Sequence, residues 1–331
     1  MLKDQVEAYA YFNLAGIHLE ASRKQRDRLE DAMTPDAVLL GQQRARELKK
    51  EIDARLAQEE KENKYFEYLS QAEKGDAEAQ LMVGSCYYNG RGVDKDEEKS
   101  CSWIRKSADQ GNISAQNALG VLYYRGVGVV KDYEQAFTWF RKAAENGDDD
   151  AQFNLGRCFA MGQGVAQNYE LAVFWYRKAA DQRNHRAENS LGICHSRGHG
   201  VQQDYARAAA WYRKAAGEGH EDAQTRLGEI YAKGEGVPQD HSQAVFWYRK
   251  AAEKGHAEAQ INLGINYENG VGVAKDEIEA YAFLNLAGMT DEAARKRLSI
   301  LEKKISQDAR LLGQKRTKEL QKEIEARQTG K

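Results

Sequence analysis

The sequence predicts an all-α protein, a right-handed α-α superhelical solenoid of six 36-residue helix-turn-helix repeats with helical caps. Three periodic features predict this class. A glycine in the middle of each unit and a Gly-x-Gly-Val turn both recur every 36 residues. Because a lone helix pair of this size cannot bury its apolar side, neighbouring pairs must stack and share a core. The tryptophans of the chain keep the same period: Trp103, Trp139, Trp175, Trp211 and Trp247.

Each unit begins with a helix that we call helix A. A short polar residue precedes it and can accept hydrogen bonds from the first free backbone amides. Alanine, leucine and aromatic residues then recur at helical spacing, as at Ala151, Leu155 and Phe159. The predicted capping residues of helix A are Asp76, Asn112, Asp148, Asn184, His220 and His256.

The Gly-x-Gly-Val turn is predicted to end helix A and to lead into helix B. Helix B closes with Trp-Tyr-Arg-Lys-Ala-Ala, which is nearly unchanged in the third to fifth units. Each unit is therefore two helices joined by a glycine turn. The predicted capping residues of helix B are Asp96, Asp132, Asn168, Asp204, Asp240 and Asp276.

These repeated segments resemble the Sel-1-like repeat family, relatives of the tetratricopeptide repeats. Ala-Gln-x-x-Leu-Gly, then Tyr, then Gly-x-Gly-Val, then Asp and Trp-Tyr-Arg-Lys-Ala-Ala recur in this order over about two-thirds of the chain. The resemblance implies a curved superhelix that acts as an adaptor or scaffold for other proteins, without shared catalytic residues. A secreted branch of the family joins its repeats by disulfides. Its cysteine columns hold alanine here, as at Ala144 and Ala151, so those disulfides are not expected.

Composition and charge argue against several classes of function. Charged residues make up 30% of the chain at a formal net charge of -2, so no overall field attracts nucleic acid. No apolar run is long enough to span a bilayer, and residues 1–16 lack the features of a signal peptide. We therefore expect a cytoplasmic protein, although a missing upstream segment could carry a signal. Cys86, Cys158 and Cys194 share one column and are expected to be small buried hydrophobes.

The two ends of the chain are copies of each other. Lys3–Arg55 aligns without gaps with Lys275–Arg327, at a constant offset of 272. The C-terminal copy supplies the last helix B and a cap, which resembles how many bacterial proteins of the family end. The N-terminal copy has no helix A before it. Either the chain is a fragment of a longer protein with two arrays, or its first helix packs on something outside this sequence.

A helix with an exposed core face is a natural site of self-association. We therefore predict that the first helix contacts another copy of the chain or an upstream repeat. The residues predicted to make this contact are Val6, Tyr9, Phe12 and Leu14.

The connection between the N-terminal copy and the repeats is less strongly patterned. Thr34 and Pro35 favour a helix start, and only Gly41 interrupts the stretch of residues 36–74. This stretch is one long helix or two helices that break near residues 59–63. We expect three parts of the chain: residues 1–63, a helical segment that duplicates the C-terminal block; residues 64–290, the repeat array; and residues 291–331, a C-terminal helical cap.

The variable columns of helix A are the predicted binding surface. On a helical wheel, unit positions 7, 11 and 14 point away from the core, and several hold apolar residues. In the related tetratricopeptide fold helix A lines a concave groove, so these positions resemble a peptide-binding groove. The alternative is that they pack beside adjacent helices. The predicted concave-face residues are Leu81, Ser85, Tyr88, Asn117, Val121, Tyr124, Phe153, Arg157, Asn189 and Ile193.

The fourth unit departs most from the repeat. Arg183 replaces the first glycine of the unit, and a histidine replaces the core aromatic residue of helix A. A metal site would need several ligands on one side, and we expect the turn at Gly198 to separate them, so no metal site is predicted. The residues concerned are His185, Cys194, His195 and His199.

The sequence thus favours a non-catalytic protein-protein interaction scaffold that binds a peptide or protein on the concave face of its A helices. The alternative is a self-assembling structural solenoid that docks end to end and forms homo-oligomers through its N-terminal helix. A hydrolytic or metal-dependent enzyme has little support, because no grouping of serine, histidine and acid recurs. We expect no enzymatic activity and no cofactor.

Overall fold

A computed structural model describes residues 2–15 and 20–329 of the chain. Within these ranges the protein folds into seventeen α-helices and no strand, and successive helix pairs pack as in a solenoid, as predicted. The repeats run from α4 to α15, with the even-numbered members as A helices and the odd-numbered members as B helices. In chain order the helices are α1 (Leu2–Ala15), α2 (Glu20–Ala32), α3 (Pro35–Glu73), α4 (Ala77–Asn89), α5 (Glu97–Asp109), α6 (Ile113–Arg125), α7 (Tyr133–Glu145), α8 (Asp149–Met161), α9 (Tyr169–Asp181), α10 (His185–Arg197), α11 (Tyr205–Gly217), α12 (Glu221–Lys233), α13 (His241–Ala252), α14 (Ala257–Asn269), α15 (Glu277–Gly288), α16 (Glu292–Glu302) and α17 (Gln307–Thr329).

The capping residues explain why the repeat helices begin where they do. Each of the twelve predicted caps accepts a hydrogen bond from a backbone amide in the first turn. In the third repeat, the Asp148 side chain accepts from the amide of Ala151 at 2.6 Å, and Asn168 accepts from Leu171 at 2.9 Å. Each such bond satisfies an amide that has no partner within its own helix.

The glycine turn of the third repeat shows why both of its glycines are needed. Gly162 ends α8 in the left-handed conformation at φ 67°, with its amide donating to the carbonyl of Cys158. Gly164, also left-handed at φ 72°, lies against the main chain of Tyr133, where a Cβ would overlap the carbonyl group. A side chain would therefore strain the first position and clash at the second.

A glycine inside each helix A receives a large side chain from helix B of the same repeat. A Cβ added to Gly156 would lie 2.7 Å from ring carbons of Tyr176, and one added to Gly264 would lie 2.8 Å from Cγ of Leu284. Glycine at this position lets the two helices of a repeat pack closely. The side chains received are, from the first repeat to the sixth, Ile104, Phe140, Tyr176, Tyr212, Tyr248 and Leu284.

A glutamine side chain links successive repeats. Gln152 donates from Nε2 to the main-chain oxygen of Ala144 near the end of the preceding B helix, at 3.2 Å. Gln80, Gln224 and Gln260 make the same bond to Ala72, Ala216 and Ala252 at 3.0–3.2 Å. The fourth repeat has Glu188 in this column. Its buried Oε2 lacks a hydrogen-bond partner within the described part of the chain, and burial raises the pKa of this carboxyl.

Contacts divide the chain into two compact units. Unit 1 consists of Met1–Ala115 with Gly126–Val130, and unit 2 consists of Gln116–Arg125 with Lys131–Lys331. Each unit has its own buried clusters of alanine, leucine and aromatic residues.

The cysteines are buried, as the column position of three of them predicts. All four thiols are free and lie in the interior. Burial raises the pKa of Cys158 and of Cys194 to about 11. These thiols are therefore protonated at neutral pH and behave as small apolar side chains.

The duplication of the two chain ends extends to their side-chain contacts. Tyr9 donates from its hydroxyl to Glu30 at 3.0 Å, and the equivalent Tyr281 donates to Glu302 at 3.2 Å. The helices α1, α2 and the first part of α3 therefore fold as a copy of α15, α16 and α17. Both copies pack a B-type helix against a short helix and a long one.

The long connection is one helix rather than two. Helix α3 runs without a break over Pro35–Glu73, and Thr34 caps it by accepting from the amide of Ala37. Gly41 does not interrupt it, because this glycine lies under the ring of Tyr9, where a Cβ would come 2.6 Å from a ring carbon. The predicted boundary between residues 63 and 64 falls inside α3, and the division into three parts stays a prediction.

Candidate protein-binding site

Unit 2 contains a polar depression formed mainly by A helices of adjacent repeats. It has a volume of about 220 Å³. We call it the Arg157 pocket. Helices α6 and α8 contribute most of its side chains, with one residue each from α7 and α10. The lining residues are Asn117, Val121, Tyr124, Arg125, Phe140, Asp150, Asn154, Arg157 and Arg186.

Arg157 lies between two aromatic rings in this pocket. Its Nη2 donates to the Tyr124 hydroxyl at 3.0 Å, and that hydroxyl donates to Gln163 at 2.8 Å. The guanidinium carbon is 5.2 Å from the ring centre of Tyr124 and 5.7 Å from that of Phe153. Such contacts hold a guanidinium group in place without neutralising its charge. Among the residues that the structure describes, no carboxylate forms an ion pair with Arg157.

The second arginine of the pocket already has a partner. Arg186 forms an ion pair with Asp150, and its guanidinium carbon is 4.7 Å from the ring centre of Phe153. Asn184 holds the same carboxylate by donating to Asp150 Oδ1 at 2.9 Å. Because Asp150 and Arg186 balance each other, Arg157 and the exposed Arg125 leave the pocket with a net positive charge.

An amide pair completes the wall between adjacent A helices. Asn154 donates from Nδ2 to Asn117 Oδ1 at 3.1 Å. This contact fixes the orientation of both side chains in the lining of the positive pocket. The pocket thus combines the half-buried guanidinium group of Arg157, which lacks an acidic partner among the described residues, with aromatic rings and amide groups. Such a set is suited to bind a carboxylate.

The structure places some of the predicted concave-face residues in one pocket and buries others between helices. Four of the predicted residues, Asn117, Val121, Tyr124 and Arg157, line one pocket, and Phe153 lies close to Arg157. Asn117, at unit position 7, lines the pocket, but the expectation that this position points away from the core is wrong in the repeats where its side chain is buried between helices. Buried examples at position 7 are Leu81, Phe153 and Asn189.

Other predicted residues lie elsewhere. In unit 1, Ser85 lines a separate depression beside Tyr65, and Tyr88 is half-buried. In unit 2, Ile193 lines a depression with Arg226 and Glu229, which pair with each other at 3.0 Å. Arg226 is therefore neutralised, unlike Arg157.

Helical spacing alone could have identified four pocket residues that the sequence prediction missed. Counting from the first residue of each 36-residue unit, they occupy positions 4, 8 and 15. Together with position 11, which was predicted, these positions follow each other by three or four residues and therefore lie on one face of helix A. These four residues are Arg125, Asp150, Asn154 and Arg186, and Phe140 of helix α7 was also missed.

Comparison with known proteins assigns the family. The profile of the Sel1 repeat matches residues 1–17, 77–112, 113–148, 149–184, 185–220, 221–256 and 257–289. The chain belongs to the Sel1 repeat family. Sel1 repeat proteins are scaffolds for protein interaction and are generally non-catalytic.

Two solved structures are similar to this Sel1 repeat chain. One is c5321, a protective antigen present in uropathogenic Escherichia coli strains, with 32% identity and a TM-score of 0.69 over 80% of this chain and 56% of the antigen. The chain therefore spans little more than half the length of that protein. The other is a Sel1 repeat protein from Oxalobacter formigenes, with 36% identity and a TM-score of 0.62 over 66% of this chain and 89% of that one. A search of curated proteins found no match.

The irregular fourth Sel1 repeat does not gather its metal-binding residue types. His199 stacks on Tyr169 with ring centres 4.4 Å apart, and His185 lies beside His220 at 5.7 Å. His195 is buried in the core. No group of three or more histidine, cysteine or acidic side chains that could hold a metal ion occurs in the described ranges.

The predicted self-association residues are partly covered by this chain. Val6 and Tyr9 are buried, whereas Phe12 and Leu14 are half-buried, with Leu14 packed on a small cluster around Leu48. The premise of an exposed core face therefore fails for Val6 and Tyr9, because α2 and α3 cover that side of α1. Self-association itself stays a prediction.

Over the described ranges, no helix of this Sel1 repeat protein is long and apolar enough to cross a membrane. The compartment in which it works stays a prediction.

Proposed function

We propose that this Sel1 repeat protein is a non-catalytic adaptor that binds a segment of another protein on its A-helix face, with a carboxylate of that segment in the Arg157 pocket. The observation that carries the proposal is the position of Arg157. Its guanidinium group is half-buried between Tyr124 and Phe153 and lacks an acidic partner among the described residues. A carboxylate from outside would supply that partner.

The geometry favours a carboxylate over other groups. A guanidinium group presents parallel N–H donors that match the two oxygens of a carboxylate, and such charge-assisted bonds are about twice as strong as neutral ones. The contacts to Tyr124 and the ring of Phe153 hold the arginine in place before the ligand arrives. Less side-chain entropy is therefore lost on binding.

The neighbouring residues suit the rest of an extended peptide. The Asn117–Asn154 pair supplies amide groups that can bond to a peptide main chain, and Val121 supplies an apolar contact. Arginine and tyrosine are also the residue types that most often dominate binding energy at protein interfaces. The ligand class is therefore an acidic segment of a protein, or the free carboxyl end of one.

The test selects ligands from a phage-displayed library of random peptides and measures affinity by fluorescence anisotropy. We expect the selected peptides to share an aspartate, a glutamate or a free carboxyl end. Replacing Arg157 by Leu should weaken the binding of these peptides by about tenfold or more, which is the loss typical of a charged contact at the centre of an interface. Arg157→Lys keeps the charge but loses the parallel donors, so it should recover only part of the affinity.

The matched control is Arg141→Leu. Arg141 is an exposed arginine on α7 that pairs with Glu145 and lies outside the pocket. This variant should bind the selected peptides like the unchanged protein, and circular dichroism should show that all variants retain their helices. Selected peptides without an acid, or equal binding by Arg157→Leu, would rule out the pocket as the carboxylate site.

A further inference from the structure

Two B helices of unit 2 carry basic residues and no acidic ones. Helix α11 contains Arg207, Arg213 and Lys214, and α13 contains Arg249 and Lys250, whereas neither helix contains an aspartate or a glutamate. Every other B helix of the six repeats carries at least two acidic residues. The B helices of the fourth and fifth repeats are therefore positively charged, although the whole chain has a formal net charge of -2.

The lysines of these helices lie on tryptophan rings instead of pairing with acids. In α9, α11 and α13, the lysine Nζ is 4.3–5.3 Å from the ring centre of the tryptophan three residues before it. All three lysines are exposed, and no carboxylate among the described residues forms an ion pair with them. An aromatic ring holds an ammonium group in place without neutralising it. The three lysines are Lys178, Lys214 and Lys250.

The column four residues before these lysines is exposed and partly aromatic. Phe174 of α9 and Phe246 of α13 are 48% and 46% exposed, and each ring meets the neighbouring tryptophan edge-on, at 5.2 and 5.0 Å between ring centres. In the repeat between them, α11 has the exposed Ala210 in this column. Because alanine is much smaller than phenylalanine, the two rings flank a recess over α11.

The two columns belong to one surface, because residues four apart lie on the same face of a helix. Helices α9, α11 and α13 occupy the same place in three consecutive repeats, so their columns run side by side. We call this surface the basic B face. It consists of Phe174, Lys178, Ala210, Lys214, Phe246 and Lys250.

We propose that the basic B face binds an acidic segment of another protein, with carboxylates of that segment against the three lysines and an apolar side chain in the recess over Ala210. Charge complementarity selects an acidic partner, because three consecutive repeats present ammonium groups that are held in place and not neutralised. The apolar side chain would be buried between Phe174 and Phe246, which are otherwise half in solvent. This inference does not depend on the Arg157 pocket, which is formed mainly by A helices.

The rings argue against the two other kinds of anionic partner that a basic surface can bind. Nucleic-acid bases stack on open faces of aromatic rings. Lys178 and Lys250 already lie over Phe174 and Phe246, at 5.0 and 4.8 Å from the ring centres. The headgroups of an anionic bilayer attract lysine, but they lie in one plane and leave the recess over Ala210 empty, whereas a protein side chain fills it.

The test adds the full chain to a labelled peptide with blocked ends, in which the block Glu-Glu-Leu-Glu is repeated three times, and measures fluorescence anisotropy. We expect saturable binding that weakens when the ionic strength is raised from about 0.1 M to about 1 M, because the Debye length falls from about 10 Å to about 3 Å. A peptide with serine in place of leucine should bind about tenfold more weakly. Ala210→Gln fills the recess and should remove this preference for leucine.

Charge reversal locates the contact. Lys178→Glu and Lys250→Glu should each weaken binding of the leucine peptide by about tenfold or more, because each places a like charge against its carboxylates. The matched control is Lys106→Glu in α5. Lys106 lies on Trp103 at 3.9 Å in the same column, but α5 carries three acidic residues. All three changes remove the same contact with a tryptophan, so the control should lose similar stability and keep its affinity for the peptide.

The same titration on Arg157→Leu separates this surface from the Arg157 pocket. Binding that persists in Arg157→Leu and is weakened in Lys250→Glu belongs to the basic B face. Binding that is lost in Arg157→Leu and kept in Lys250→Glu would assign the peptide to the pocket and overturn the inference. No binding, equal weakening by Lys106→Glu, or tighter Lys250-dependent binding to phosphatidylserine vesicles or to a single-stranded oligonucleotide would also overturn it.

Discussion

Gln152 in the third repeat donates a hydrogen bond from its side-chain amide to the main-chain oxygen of Ala144 in the repeat before it. The bond recurs in the first, fifth and sixth repeats. In the fourth repeat Glu188 occupies the column, and a carboxylate cannot donate to a carbonyl oxygen. The link between the third and fourth repeats is therefore weaker than the links made by glutamine.

Replacing Glu188 by Gln should stabilise the protein. The amide restores the donor to the oxygen of Ala180 and removes a buried acid, so the free energy of unfolding should rise by about 1 kcal/mol at pH 7. Because burial raises the pKa of Glu188, the native protein loses stability as pH rises through that pKa. The gain from Glu188→Gln should therefore shrink in acid. Urea unfolding of both proteins at pH 7 and at a pH near 4.3, about the pKa of glutamate in the unfolded chain, would measure this gain.

The reverse change, Gln152→Glu, is the matched control for that experiment. It removes the donor from a link that the structure shows intact. It should lower the free energy of unfolding at pH 7 by about 1 kcal/mol, and the loss should be smaller in acid. Equal stability of Glu188→Gln and the native protein would mean that the link contributes little.

Arg183→Gly should also stabilise the fourth repeat. Arg183 is the one non-glycine residue with positive φ, at 67°, in the described ranges, and the other five repeats have glycine in this column. A side chain in the left-handed region destabilises the folded state by about 1–2 kcal/mol. Glycine removes this strain, but its greater conformational freedom in the unfolded chain offsets part of the gain. We expect a gain of up to about 1 kcal/mol in urea unfolding. The control Gly147→Ala, at φ 98°, should be destabilising.

Stability in mild acid should depend on His195. Its side chain is 2% exposed, and its Nδ1 lacks a hydrogen-bond partner among the described residues. Burial lowers the pKa of His195, and the positive charges of Arg177 and Arg207 lower it further. The unfolded chain therefore binds a proton more readily than the folded one. Stability should fall as pH drops below the unfolded value of about 6.5.

Replacing His195 by Phe tests this dependence. The third repeat carries Phe159 in the same column, so the ring suits the site. Removing an unpaired buried nitrogen should stabilise the protein by about 1 kcal/mol at pH 7. The curve of unfolding free energy against pH should also become shallower between neutral pH and pH of about 5. An unchanged slope would show that His195 is not the group that titrates.

Gly156→Ala should destabilise the third repeat. The added methyl group would lie 2.7 Å from ring carbons of Tyr176, so one of the two helices must shift, at a cost of about 1–3 kcal/mol. Gly217→Ala is the control, since Gly217 is also helical and has no atom within 4 Å of the new Cβ. That change should stabilise the helix by up to about 1 kcal/mol, because alanine is the better helix former. Thermal unfolding of both variants would show the opposite signs.

The local pattern of the sequence was sufficient to predict the helices of the six repeats. Caps such as Asp148 and turn glycines such as Gly162 act within a few residues of their own position, so each helix end could be read from its own segment. The continuity of α3 could not be read in this way. Gly41 resembles a break, and only the ring of Tyr9, which folding brings onto it, shows that it is a packing site.

The residues of the Arg157 pocket were predicted only in part, for a reason specific to stacked repeats. A helical wheel treats one helix by itself, whereas an inner A helix is covered by its own B helix and by the next repeat. Thr225, at position 7 of its repeat, is fully buried and lies 3.1 Å from a ring nitrogen of His256 in the following repeat. The ion pair of Arg186 with Asp150 likewise joins one column of two adjacent repeats.

The irregular fourth repeat has a consequence for how the array opens. The stability of a stacked array is close to a sum of terms for each repeat and for each boundary between neighbours. Three features of the fourth repeat lower several of these terms. They are the left-handed backbone of Arg183, Glu188 in place of the linking glutamine, and the Nδ1 atom of His195 without a hydrogen-bond partner among the described residues. The backbone amides of α10 should therefore exchange their hydrogens with water sooner than those of α8 or α12. Local unfolding of unit 2 should therefore begin inside the unit, at the fourth repeat, rather than at its ends.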